Sequence, residues 1–257
     1  MIKKIINGYY VSKKRVKFNL FFMLNSFLSK KNINLKYIVN VDGFKFYFEK
    51  IEDGSNIWEY LKNYYDISNI THKEVIVDVG ANIGDFSIFL SKKAKEIYSF
   101  EPIPNVYKKF KKNIALNKIK NIKAYNLAIS NKDGILKMTN PENSVVSKLD
   151  SNGQLNVKTI SWNKLDKMTP QKVNLLKIDI EGGEYLLINQ PKILDKVDEI
   201  RMELHLNNEN EKQKCLNLIN ILESKKFIIP KHIIKEINSF NGKYKTIETQ
   251  IVKKNNL

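Results

Sequence analysis

The chain has 257 residues, a formal net charge of +17 and 42% hydrophobic residues. That length holds one sizeable domain plus an extension, and the mixed apolar and charged content excludes a disordered chain. The charge is almost all lysine, with Arg15 and Arg201 as the arginines; proteins that read bases and phosphates favour arginine's planar fork, so the charge alone does not make a nucleic-acid protein.

The start, Met1-Ile2-Lys3-Lys4, is basic, but no apolar run or small-residue cleavage site follows, so no secretory leader is expected. Residues 13–29 read as a basic, aromatic helix. Its apolar part, Phe18 to Leu28, is too short to span a bilayer and includes Asn19, Asn25 and Ser26. Packing on the domain is the preferred reading. Contact of residues 13–28 with a membrane surface, through Lys13, Lys14, Arg15 and Lys17, stands beside it. Tyr37–Val41 and Phe44–Phe48 flank Asp42-Gly43, a hairpin signal. Asp53-Gly54-Ser55 then precede an amphipathic helix with Ile57, Trp58, Tyr60, Leu61, Tyr64 and Tyr65, an aromatic stripe read as core. Residues 1–70 are thus expected to be a helix-hairpin-helix extension, and residues 71–257 the main domain. The lone cysteine, Cys215, lies in an apolar helical stripe, which suits a reducing, cytoplasmic setting and argues against a thiolate zinc site.

From residue 75 the periodicity alternates: strand 75–79, helix 84–93, strand 96–100, helix 104–117, strand 122–127. Lys108, Lys109, Lys111 and Lys112 read as the solvated face of the second helix. Residues 129–161 break the rhythm, with short β-like runs at Ile135–Met138, Ser144–Leu149 and Leu155–Ile160 about Asp133-Gly134 and Asn152-Gly153. Strand 173–179, helix 183–190, strand 197–205, helix 209–224 and strand 227–229 follow. Runs at 232–238 and 244–252, parted by Asn241-Gly242, read as a closing hairpin. This pattern predicts an α/β fold: a Rossmann-like, doubly wound, mostly parallel sheet with an inserted β element.

The chemistry concentrates at strand ends. The segment Val75-Ile-Val-Asp-Val-Gly-Ala-Asn-Ile-Gly-Asp85 is a buried strand that ends in Asp78 and exits through Gly80, Asn82 and Gly84 into a helix. Such a turn lets a ligand approach the backbone at a helix N-terminus. The next strand ends in Glu101, placed to accept the two hydroxyls of a ribose. A carboxylate at the turn suits an ammonium and a sulfonium better than a pyrophosphate, so S-adenosylmethionine fits where NAD does not. The glycine pair alone is a weak signal, since ligand-free strand-helix turns carry it too; Glu101 at the right distance strengthens the ligand reading.

A second polar cluster follows at Asp179-Ile-Glu181-Gly-Gly-Glu184, with Glu203 and His205 ending the neighbouring strand. Two readings stay open. His205 or Asp179 acts as general base on an acceptor hydroxyl, or Asp179, Glu181 and His205 hold a divalent metal that acidifies it. The base is preferred and no metal is assigned. Glu184 reads as a helix cap.

These segments, with YSFEPIPNVYKKFKKNIALN, LLKIDIEGGE and MELH, resemble the FkbM-type methyltransferases over roughly residues 75–206. The resemblance implies a cofactor turn at Asp78, Gly80, Asn82 and Gly84, Glu101 on the ribose, an adenine contact at Ala128 with Ile129 and Ser130, and an active-site edge at Asp179, Glu181 and His205. It also implies O-methylation of sugars, glycans or related natural products. Gly183 departs from the family's usual alanine, and Asn189-Gln190-Pro191 from a glycine-containing helix end. The expected acceptor is a small molecule or glycan, free or carried on a lipid or phosphate. An RNA methyltransferase and a non-catalytic cofactor binder are the alternatives.

Overall fold

A computed structural model describes residues 37–49, 53, 57, 73–139 and 149–254. The expected helix over 13–29, the membrane-facing residues 13–28, the 57–65 helix beyond Ile57 and residues 144–148 lie outside these. β1 (Tyr37–Val41) and β2 (Phe44–Phe48) form the expected antiparallel hairpin about Asp42-Gly43, both at positive φ. β3 (Lys73–Val79), α1 (Asp85–Leu90), β4 (Ala94–Phe100), α2 (Pro104–Leu116) and β5 (Ile122–Tyr125) then alternate in the expected order. β6 (Ala128–Ser130), β7 (Gly134–Met138) and β8 (Leu155–Ser161) form a small sheet of their own, with β8 between the other two, followed by α3 (Trp162–Met168). The chain continues through β9 (Val173–Ile178), two 3-10 segments (Glu184–Asn189 and Pro191–Lys196), β10 (Val197–Leu206), α4 (Glu209–Ser224), β11 (Phe227–Ile228), α5 (Lys231–Asn238) and β12 (Lys245–Lys253).

The large sheet has seven strands in the order β11-β12-β10-β9-β3-β4-β5. Strands β3, β4, β5, β9 and β10 are parallel, and β12 runs antiparallel between β10 and β11. The order reverses between β3 and β9, so their carboxyl ends open the crevice in which such sheets bind ligands. Alternation along β3 divides the interior: Val75, Val77 and Val79 join the cluster under α4 and α5, while Ile76 joins the cluster with α1, α2 and the hairpin. Asp78 shares the second face and is the register partner of Lys177 on β9.

The hairpin is fastened to α2 by side chains acting on its edge. Asn113 Oδ1 accepts from Tyr47 N at 2.6 Å and Asn117 Oδ1 from Lys45 N at 2.7 Å, while Phe46 packs on Phe89 at 5.2 Å between centroids. The lysines of α2 are therefore not one solvated face. Lys109 is buried and its Nζ donates to Asp53 Oδ1 at 2.6 Å, and Lys112 lies over the Tyr47 ring.

Three sequence expectations are corrected. The run 232–238 is helical, because Ile233 and Ile237, four apart, both turn inward, and β12 pairs with β10 and β11 instead of closing a hairpin. The 183–190 helix is a 3-10 turn that stops at Gln190, since Pro191 opens a second segment. A helix not foreseen, α3, is capped by Ser161, whose Oγ accepts from Lys164 N, and it buries Trp162 and Leu165 completely. Among the described residues, no helix is long and apolar enough to cross a membrane.

Candidate active site

The carboxyl ends of β3, β4 and β9 surround a cavity of about 350 Å³, within the range of small-molecule sites. Gly80, Asn82, Glu101, Ala128, Asp179 and Glu181 line it, and so does Glu203. Hence six of the nine site residues foreseen from sequence meet in one space. Asp78, Gly84 and His205 stand behind its wall.

The β3 exit is built mostly from backbone. Gly80 and Ala81 both donate N–H to Phe100 O, at 3.0 and 2.9 Å, turning the chain across the end of β4. Gly80 has φ +85, and a Cβ there would lie 1.9 Å from Asp179 O, so β9 leaves room for glycine alone. Gly84 has a different reason: a Cβ would meet the Phe110 ring at 2.0 Å, so this glycine seats the start of α1 on α2 and does not face the cavity. Asn82 takes φ +49, which asparagine tolerates, and donates its N–H to Glu101 Oε2 at 2.9 Å. Glu101 Oε1 accepts from Ile103 N at 2.8 Å. Each oxygen keeps a lone pair for a further donor. Burial pushes the Glu101 carboxyl up to about 7, against those two backbone bonds.

Beneath the turn lies a buried polar stack. Asp78 Oδ2 accepts from Ser87 Oγ at 2.6 Å, Ser87 Oγ is 2.7 Å from Ser99 Oγ, and Asp78 Oδ1 is 3.7 Å from Lys177 Nζ. Burial raises the Asp78 pKa, and Lys177 and Ser87 oppose it. Lys177 Nζ also donates to Gly80 O at 2.8 Å and to Asp179 Oδ2 at 3.3 Å, so one ammonium ties the β3 turn to the end of β9. Burial works against that ammonium, but Asp179 and Asp78 outweigh it and hold its pKa above the ordinary lysine range.

The β9–β10 edge is built from side chains. Glu181 sits at φ +51, a left-handed conformation that costs a residue with a Cβ about 1–2 kcal/mol. Glu184 is fully buried: Oε2 accepts from Gly182 N at 2.8 Å, and Oε1 from His205 N at 2.9 Å. The same Oε1 stands 3.2 Å from His205 Nδ1, leaving Nε2 at 3.5 Å from Glu181 and 3.5 Å from Glu203. Burial works against a charged His205, but the hydrogen bond and charge of Glu184, with Glu181 and Asp179, raise its pKa to about 9. Tyr185 completes the clamp by donating to His205 O at 2.8 Å.

A glycine turn crossing onto the next strand, with a carboxylate anchored beside it, is an arrangement for a nucleoside-bearing ligand. The Methyltransferase FkbM domain family matches residues 78–229, which include every residue lining this cavity. The chain belongs to the FkbM methyltransferases. Its activity is S-adenosylmethionine-dependent methyl transfer. A methyltransferase of Beauveria bassiana is 26% identical over 196 residues, covering 64% of this chain and 76% of that protein. A protein of Caldanaerobacter subterraneus named an RNA methyltransferase is 36% identical over 58 residues, which is 23% of this chain and 13% of the other. A solved methyltransferase structure from Streptococcus mutans, in complex with S-adenosylhomocysteine, aligns with a TM-score of 0.46 at 15% identity over 76% of this chain and 96% of that one.

Sequence reasoning missed two groups in this FkbM methyltransferase. Lys177 was legible as a lysine inside an otherwise apolar strand, on the face of Asp78 across the register. Glu184 was seen only as a cap; that it holds His205 depends on where β10 ends, which no local spacing reveals.

Proposed function

We propose that this FkbM methyltransferase moves the methyl of S-adenosylmethionine to an uncharged hydroxyl, of a sugar, a glycan or a related natural product. The observation that carries the reading is the charge of the cavity. Glu101, Asp150, Asp179, Glu181, Glu203 and Glu211 line it, and among the described residues no lysine or arginine does, in a chain of net charge +17. Such a wall attracts the sulfonium and repels a phosphate at the reacting centre. A lipid- or phosphate-linked acceptor would keep its anion outside, against the lysine-rich surface.

In this reading Glu101 accepts the ribose hydroxyls, Phe100 and Ala128 with its neighbours flank the adenine, and the Gly80–Asn82 turn faces the methionine end. Asp179 takes the acceptor's proton, the freed oxygen forms a bond to the methyl carbon, and the carbon–sulfur bond breaks with its pair going to sulfur. S-adenosylhomocysteine and a methyl ether result. His205, whose ring Glu184 holds, orients the edge.

A second reading, methylation of RNA, is supported by the overall charge and by the short match to a named RNA methyltransferase. Incubation with methyl-labelled S-adenosylmethionine and three acceptor pools decides: neutral oligosaccharides, nucleotide- and lipid-linked sugars, and total RNA. Label expected in a base-stable sugar ether supports the proposal. Label confined to RNA overturns it, as does tight S-adenosylhomocysteine binding without transfer to any pool.

A further inference from the structure

We propose that Asp179, Glu181 and His205 form a site for a divalent cation of the Mn²⁺ or Mg²⁺ kind, next to the transferred methyl. The proposal rests on reading this cavity as the methyl-transfer site. One ligating atom from each of the three residues lies within 4.8 Å of the others. Donors about an octahedral ion stand about 3.0 Å apart when adjacent and about 4.2 Å apart when opposite, so closing on an ion asks for at most about 2 Å of side-chain movement. Rotation about the Glu181 and Asp179 side chains, both partly exposed to the cavity, supplies it.

His205 gives an independent reason. Its ring is 2% exposed, and its Nδ1 faces Glu184 at 3.2 Å. A carboxylate on one ring nitrogen fixes the tautomer and aims the other nitrogen, the arrangement that orients metal-ligating histidines. Nε2 then points among carboxylates while standing 3.5 Å from Glu181 and 3.5 Å from Glu203, longer than an ordinary N–H···O bond. A cation held by Nε2 and the Glu181 carboxylate would neutralise the crowded charge. The backbone agrees: Glu181 is turned inward at φ +51 by the Glu181-Gly182 bend, whose amide Glu184 also holds. One nitrogen and two carboxylate oxygens suit Mn²⁺ or Mg²⁺ better than a thiophilic metal, and open positions remain for water and the acceptor oxygen.

With the ion in place Asp179 becomes a ligand and not the base. The acceptor hydroxyl binds the cation, its proton passes to Glu203, which lines the cavity outside the ligand set, and the oxygen attacks the methyl as before.

The test is a Mn²⁺ titration of the whole chain, with and without S-adenosylhomocysteine, followed by the electron paramagnetic resonance of free Mn²⁺. One saturable site is expected. It should weaken at least about tenfold in Asp179→Asn and His205→Gln, and by about tenfold in Glu184→Gln, while Glu96→Gln leaves it unchanged. S-adenosylhomocysteine titration of each variant shows that the fold is kept; if His205→Gln loses it, Asp179→Asn at the cavity edge decides. No saturable Mn²⁺ site in the wild-type chain overturns the proposal, and so does equal affinity in Asp179→Asn. Failure of S-adenosylhomocysteine to bind, with Mn²⁺ still held, would instead remove the methyl-transfer reading.

Discussion

The two ends of the cavity are built on opposite principles. At the β3–β4 end the polar groups are mainly backbone amides and carbonyls, with Gly80, Ala81 and Asn82 folded over Phe100 and Glu101. At the β9–β10 end they are side chains: Asp179, Glu181, Glu184, Glu203 and His205 crowd one edge. A backbone site fixes the shape of an invariant cofactor and tolerates few substitutions. A side-chain site sets the chemistry and can be changed residue by residue without moving the strands. Lys177 joins the two, bonding to Gly80 O on one side and Asp179 on the other.

The largest way to break this contrast is Gly80→Ala. A Cβ placed 1.9 Å from Asp179 O at φ +85 must push β3 and β9 apart, so complete loss of S-adenosylhomocysteine binding by calorimetry is expected. Asp179→Asn should separate the two ends cleanly. Removing this carboxylate, the base without an ion and a ligand with one, should cost about 10²–10⁴-fold in kcat, the scale of a lost general base, whereas cofactor affinity should stay within a few-fold; equal losses in both would show that the ends are not independent.

The same contrast explains what the sequence made readable. The β3 turn announces itself because glycines and a following acid are local signals, and the strand ends at Asp179 and His205 follow from apolar runs. The structural reason for Gly84 was not legible, since only the packing of Phe110 reveals why glycine is needed there. The 231–238 helix was taken for a strand because eight residues with three isoleucines satisfy both periods. Lys109 looked solvated until Asp53, 56 residues away, supplied its partner. Long-range partners are what local pattern leaves out, and the clamp of Glu184 on His205 is the functional instance.

Smaller effects sharpen the picture. Lys109→Met leaves Asp53 buried without its partner, a loss of about 3 kcal/mol that should lower the thermal midpoint while leaving cofactor affinity alone. Glu101→Gln should weaken S-adenosylhomocysteine by about tenfold, the scale of one charge-assisted hydrogen bond. Its pH dependence has a definite sign. The ionised carboxylate accepts the ribose hydroxyls, and its pKa is raised to about 7 by burial. Wild-type affinity should therefore be full above that value and fall as pH drops through it, by up to about tenfold per unit. Glu101→Gln should lose this slope.

The central claim is that the Gly80–Asn82 turn and Glu101 together hold an adenosyl ligand. Calorimetric titration of S-adenosylhomocysteine into wild type and Glu101→Ala at pH 8 tests it most directly. The account expects one site per chain in the wild type and a large loss of affinity in the variant. No heat of binding in the wild type, or the same affinity in both proteins, would contradict it.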